Sequence, residues 1–222
     1  MIFQKKYIYM ILTIVLLSTL CFFSLTFIHK MSNDGRFYLK EGLIKEAVAH
    51  FDNMLISRKW NATHGGVFVN ETNTIKPNPY LKDNVKLDAD GKKMIKINPA
   101  WMTRQLSELS NLEGNYYYKI TSLKPINPKN VPDSFEKKAL EYFEMNKDKK
   151  YYYELSEKFD FFGSLKTEKS CLKCHADQGY KVGDIRGGIR VSIPTEMYNA
   201  TLKTINEQEK YYSLVAISIS IV

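Results

Sequence analysis

Cysteine and histidine are scarce in this chain, with three Cys and four His among 222 residues. Beyond the N-terminal apolar segment they reduce to Cys171 and Cys174 with His50, His64 and His175. A structural zinc site takes about four ligands, so the absence of a second Cys pair weakens a zinc reading of these thiols. The interior also has no internal repeat and no low-complexity linker, which leaves room for one domain with a substantial core. Basic clusters are lacking too. The formal net charge is +8, but the lysines are scattered along the chain. No nucleic-acid partner is therefore expected, and the charge reads as a solvated surface facing anionic lipid or wall polymers.

What the chain does have is Cys171-Leu172-Lys173-Cys174-His175. This Cys-x-x-Cys-His spacing suits covalent attachment of a c-type haem: two thiols reach the two vinyl groups of one porphyrin, and the next residue offers an imidazole to the iron. A thioredoxin-like redox pair or a plain disulfide would use the same thiols but leave His175 without a role. One covalent haem c is the expected cofactor, with His175 as proximal ligand.

Such haems are attached outside the cytoplasm, and the N-terminus carries a matching signal. Lys5 and Lys6 precede Tyr7 to Ile28, 22 residues without a charge, long enough to cross a hydrocarbon core of about 30 Å. A cleaved signal peptide would have a shorter apolar region ending in small residues, whereas Phe22, Phe23, Leu25 and Phe27 stand here. The positive-inside rule then gives a cytoplasmic N-terminus at residues 1–6, a transmembrane helix at 7–29 and a periplasmic domain at 30–210 of a bacterial inner-membrane protein. Tyr211 to Val222 is a second uncharged run, twelve residues long, and is expected to begin a second transmembrane helix. A homodimer is expected, as paired membrane helices often dimerise in receptors.

Apolar residues near 3.6-residue spacing from Phe37 to Leu55 predict a long helix over Asn33 to Trp60, capped by Asn33 or Asp34. His64-Gly65-Gly66 should break it. Strands are expected at Val67–Val69, Met94–Ile97, Tyr116–Leu123, Tyr151–Glu157, Phe159–Lys166 and Gly188–Pro194, while Leu81–Leu87 is ambiguous. Helices are expected from Asn98-Pro99 to about Leu112, over Asp133–Asn146 and over Thr195–Lys210. The fold class expected is α+β, a PAS-like antiparallel sheet with a long N-terminal helix.

Several segments resemble one family in order along the chain: His64 to Val69, Asn78 to Leu81, Ile97 to Gln105, Ile120 to Leu123, Cys171 to His175, then Gln178 to Tyr180 and Gly183 to Gly188. The resemblance, over about Trp60 to Pro194, is to the periplasmic c-type haem PAS-like sensor domains, the Tll-type haem c sensor family. It implies Cys171 and Cys174 as thioether tethers, His175 as proximal ligand, and a sensor of redox state or of a small ligand such as nitric oxide. Distal iron ligands to consider are His64 and Met102, inside family-like words, and His50 and Met54, on the first helix where some relatives place theirs. Arg104, Arg186 and Arg190 are candidates for pairing the haem propionates, because a guanidinium fork matches carboxylate geometry.

The function expected is therefore the input module of a membrane-anchored sensor. The competing expectation is a membrane-anchored monohaem electron-transfer cytochrome, with a redox partner in place of a diatomic ligand. Enzymatic peroxidase or nitrite chemistry is not expected, since it needs an open distal site and an acid/base pair that the sequence does not offer. A kinase or cyclase output module would belong to a longer protein.

Overall fold

No proline precedes Pro77, and without a breaker the first third of the chain winds into one helix, α1 (Ile2–Thr63). The computed structural model describes residues 2–114 and 116–221, with the side chains of residues 2–4, 173 and 174 outside the described set. The cap expected at Asn33 or Asp34 does not form: Asn33 Oδ1 instead accepts from Arg36 Nη1 at 2.8 Å within the helix. The end falls where expected, as Gly65 (φ 72) and Gly66 (φ 102) take the left-handed conformation that glycine tolerates. Leu43, Ala47, Phe51, Met54, Arg58 and Asn61 form one buried stripe at three- and four-residue spacing.

The chain divides into two compact units, Ile44–Pro194 and the remainder. In the first, β1 (Val67–Asn70), β2 (Val85–Leu87) and β3 (Lys93–Ile97) make an antiparallel sheet in the order β1-β3-β2. Val67 faces Ile97 and Val85 faces Ile95, which places the ambiguous segment as a short edge strand. Helix α2 (Pro99–Glu113) follows at once. Its cap is Asn98, whose side chain accepts from Trp101 N at 2.9 Å, with Pro99 in the first turn where its missing N–H costs nothing.

The second sheet contains β4 (Tyr117–Thr121), β5 (Tyr151–Leu155), β6 (Lys158–Lys166) and β7 (Ile185–Pro194), antiparallel in the order β4-β7-β6-β5. Helix α3 (Ser134–Met145) precedes β5, started by a capping box between Asp133 and Glu136. The one-turn helix α4 (Leu172–His175) lies between β6 and β7. Strand β6 is covered on both faces, which explains a run too apolar to alternate. Phe161 meets Phe51 of α1 at a centroid distance of 5.9 Å, and Phe162 stacks on Phe143 of α3 at 6.2 Å. A Cβ at Gly163 would run into the Phe51 ring, so glycine is what lets α1 sit against the sheet. Strand β7 begins at Ile185 rather than Gly188. Gly187, ahead of the expected start, serves close approach, since a Cβ there would collide with the Thr121 carbonyl. The α+β architecture with antiparallel sheets and a long N-terminal helix is thus as expected.

In the other unit, α1 up to Leu43 is accompanied by α5 (Glu196–Ile221). Arg36 donates to Asn206 Oδ1 at 2.9 Å and to Glu209, whose Oε1 also meets His29 Nδ1 at 2.9 Å. Among the described residues α1 alone is long and apolar enough to cross a membrane, with a mean hydropathy of 2.4 in its apolar window. A signal sequence has the same character. The expected second span is not supported: the first fifteen residues of α5, Glu196 to Lys210, are rich in polar and charged side chains, and the apolar run begins only at Tyr211.

Candidate functional site

Residues 169–179 are a succession of tight turns. A 3-10 turn over Lys169–Cys171 runs into α4, another covers Ala176–Gln178, and Gly179 (φ 84) closes the segment. Cys171 is a free, half-buried thiol whose Sγ accepts from Glu168 N at 3.4 Å. The helical backbone puts Cys171 and His175 one turn apart, where positions four apart share a face. The side chain of Cys174 lies outside the described residues.

His175 is half-buried and held at both ring nitrogens. Nδ1 meets Gln178 Oε1 at 2.5 Å and Nε2 meets Arg186 Nη1 at 2.9 Å. A guanidinium only donates, so Nε2 is the acceptor and the proton sits on Nδ1, pointing at Gln178. Gln178 is itself oriented, its Nε2 donating to the Lys124 carbonyl at 3.1 Å. Burial, and after it the Arg186 charge, lower the His175 pKa below the ordinary 6.5 against the opposing Gln178 hydrogen bond. The result is a neutral imidazole with its lone pair on Nε2, the form that ligates a metal, backed by a partner on the other nitrogen.

Two cations adjoin it. Arg186 lines the same cleft, and its Nε is buried without a hydrogen-bond partner. Arg58, from the buried stripe of α1, donates through Nη1 to the Pro99 carbonyl at 3.1 Å and to Thr103 Oγ1 at 2.8 Å. Burial first, and then repulsion from Arg186, bring its pKa well below the ordinary guanidinium range, to about 9, with Cys171 acting the other way. It remains charged at neutral pH.

His175, Gln178, Arg104 and Arg186 open onto one cleft of about 790 Å³, counting its solvent-open mouth. Trp101 of α2, Tyr80 and Leu81 of the loop before β2, and Ile120 of β4 give it an apolar wall, the usual character of a cofactor site.

The other candidates lie apart from this cleft. Arg190 points among carboxylates: its Nη2 is 2.8 Å from Asp160, its Nη1 2.7 Å from Asp133 and 3.8 Å from Glu136. The structure therefore commits it to an ion-pair network on α3 and β6, leaving Arg104 and Arg186 as the cleft arginines of the expected three. His64 is exposed, sets its ring tilted against Trp60 at a centroid distance of 4.6 Å and donates from Nδ1 to the Trp60 carbonyl at 2.8 Å, finishing the last turn of α1. Met102 is half-buried on α2. His50 meets Tyr118 Oη at 2.8 Å, and Met54 is buried in the stripe of α1. None of these four lines the cleft. Two residues that matter were not singled out from sequence. Arg58 was detectable as a charge on the apolar stripe of α1, whereas Gln178, though inside a family-like segment, meets His175 only through the turn geometry that aims it.

The family model described as Tll0287-like matches residues 38–194. The crystal structure of the cyanobacterial heme-protein Tll0287 is 21% identical to this chain, with 70% of this chain and 94% of that one covered and a TM-score of 0.45. No curated protein matches. Since the family match takes in well over half of the sequence, including the whole turn segment around His175, the chain belongs to the Tll0287-like family.

Proposed function

We propose that this chain is a membrane-anchored haem c sensor module, held in the bacterial inner membrane by residues 7–29 with its haem domain in the periplasm. The observation that carries the reading is His175, last residue of a Cys-x-x-Cys-His run, presenting an acceptor Nε2 at a cleft that Arg186 and Trp101 also line, while Gln178 holds Nδ1. Membership of a family whose namesake is a heme-protein supports the same cofactor. In this reading Cys171 and Cys174 form the thioethers, His175 ligates through Nε2, and Trp101 and Ile120 exclude water from one face of the site. A bound haem iron supplies a one-electron couple and a coordination position at which a diatomic ligand can bind.

Beside His175 the cleft offers no other His and no Met among its described lining residues, which favours a replaceable distal position over a fixed one. The solvent-open mouth is the feature that favours the alternative, an electron-transfer cytochrome with an accessible haem edge. Optical spectra of the full chain, produced with the haem-attachment machinery and recorded oxidised and reduced with and without nitric oxide, separate the two. The sensor reading expects covalent haem and a spectrum that nitric oxide changes. An unresponsive spectrum points to the electron carrier, and a chain without covalent haem overturns both.

A further inference from the structure

Buried arginines in proteins are ordinarily matched by acids, and Arg190 in this chain shows the ordinary case with three carboxylates within 4.0 Å. Arg58, which is buried, and Arg186, which is half-buried, do not. Arg58 is only 8% exposed, yet its hydrogen bonds go to a carbonyl and a hydroxyl, both neutral. Arg186 donates from Nη1 to a neutral imidazole and keeps Nε buried without a partner. Among the described residues neither guanidinium has an ion pair, although the two are close enough to act on one another electrostatically. Leaving a buried charge uncompensated is strongly destabilising. Arg186 lines the cleft, and Arg58 lies behind its wall, bonded to Pro99 between the lining residues Asn98 and Ala100; a buried and a half-buried guanidinium kept there without acids suit an anion.

The same geometry indicates which anion. Arg186 Nη1 sits on the one nitrogen of His175 that has a free lone pair, so a metal taken by Nε2 releases that guanidinium. Its remaining partners on the protein are few: Nε has none. A ligand carrying both a metal and carboxylates satisfies His175 and the arginines together. We propose that Arg58 and Arg186 are a paired guanidinium site for the carboxylates of the haem, with Arg58 the buried, fixed member and Arg186 the member that moves from His175 to the ligand. This rests on the haem reading and assigns Arg58, anchored by Pro99 and Thr103, as a positioning residue from α1.

The test uses the full chain in detergent, with Arg58→Met and Arg58→Lys. On covalently loaded protein, the midpoint potential is followed from about pH 5 to about pH 8, the range in which a carboxyl without its cation titrates when buried. Loss of a nearby positive charge makes reduction harder, so Arg58→Met is expected to lower the potential and make it fall further as pH rises, while Arg58→Lys retains most of the wild-type behaviour. A loaded Arg58→Met protein with the wild-type potential and pH profile overturns the proposal. A second measurement does not depend on covalent loading. Full-length protein with Cys171→Ser and Cys174→Ser is titrated with ferric protoporphyrin and with its dimethyl ester. The free acid is expected to bind at least about tenfold tighter, the effect of one charge-assisted hydrogen bond, and Arg58→Met should abolish that preference. Equal affinity for acid and ester overturns the proposal, whereas loss of covalent haem from the wild type overturns only the parent reading.

Discussion

Gln178 shows how one side chain can set the chemistry of another. Its Oε1 fixes the proton of His175 on Nδ1, and a hydrogen-bonded imidazole is the more basic ligand. Gln178→Ala should therefore raise the haem midpoint potential and Gln178→Glu lower it, both read by spectroelectrochemistry; identical potentials in the three proteins would remove Gln178 from the account. His175 itself makes a pH prediction for the chain without haem. Its folded pKa is lowered, so the folded state binds fewer protons than the unfolded one. Stability from this group is complete above the ordinary value of about 6.5 and is lost as pH falls below it. Urea unfolding of the Cys171→Ser, Cys174→Ser protein should show a steeper loss from about pH 7 to about pH 5.5 than the same protein with His175→Ala. Arg190 belongs to stability and not to the cleft. Arg190→Met leaves Asp160 without its cation, while Glu136 keeps Lys119 at 2.7 Å, and about 3–5 kcal/mol of unfolding free energy should be lost with no change in the haem spectrum.

At the scale of elements, the sequence signals that succeeded were local and chemical. Asn98-Pro99 opened α2, Asp133 opened α3, and Gly65-Gly66 closed α1, each because a cap or a left-handed turn is decided by the residue on the spot. Those that failed needed a partner that a one-dimensional reading cannot supply. The strand expected from Gly188 starts earlier, at Ile185, because β4 at Gly187 and β6 at Gly188 approach too closely for a Cβ. Arg190 resembled a ligand for propionates until the three acids of α3 and β6 folded around it. Arg58 went unnoticed because a charge on a helix is usually solvated, and only the stripe Leu43, Ala47, Phe51, Met54 shows that this one is not. The packing of α1 on the second sheet has its own test. Gly163→Ala drives a methyl into Phe51 and should cost about 1–3 kcal/mol by overpacking, measured by thermal or urea unfolding. A neutral outcome would mean that α1 is not pressed against β6.

On the scale of the whole molecule, α1 is one uninterrupted helix from an apolar segment of membrane-crossing length to Arg58 beside the candidate site. The proposed sensor needs a structural element whose two states interact differently with the ligand, and Arg58 gives α1 one charged residue beside the candidate site. Near the other end, His29 and Arg36 of the same helix hold Glu209 of α5, and those two contacts, His29 first, lower the Glu209 pKa below the usual carboxylate range. All of this depends on the cofactor. The most direct measurement is the denatured mass of the full chain made with the haem-attachment machinery, alongside the Cys171→Ser, Cys174→Ser protein. The account predicts the mass of one haem retained on the wild-type chain after denaturation and none on the double variant; a wild-type chain at its bare polypeptide mass would contradict it.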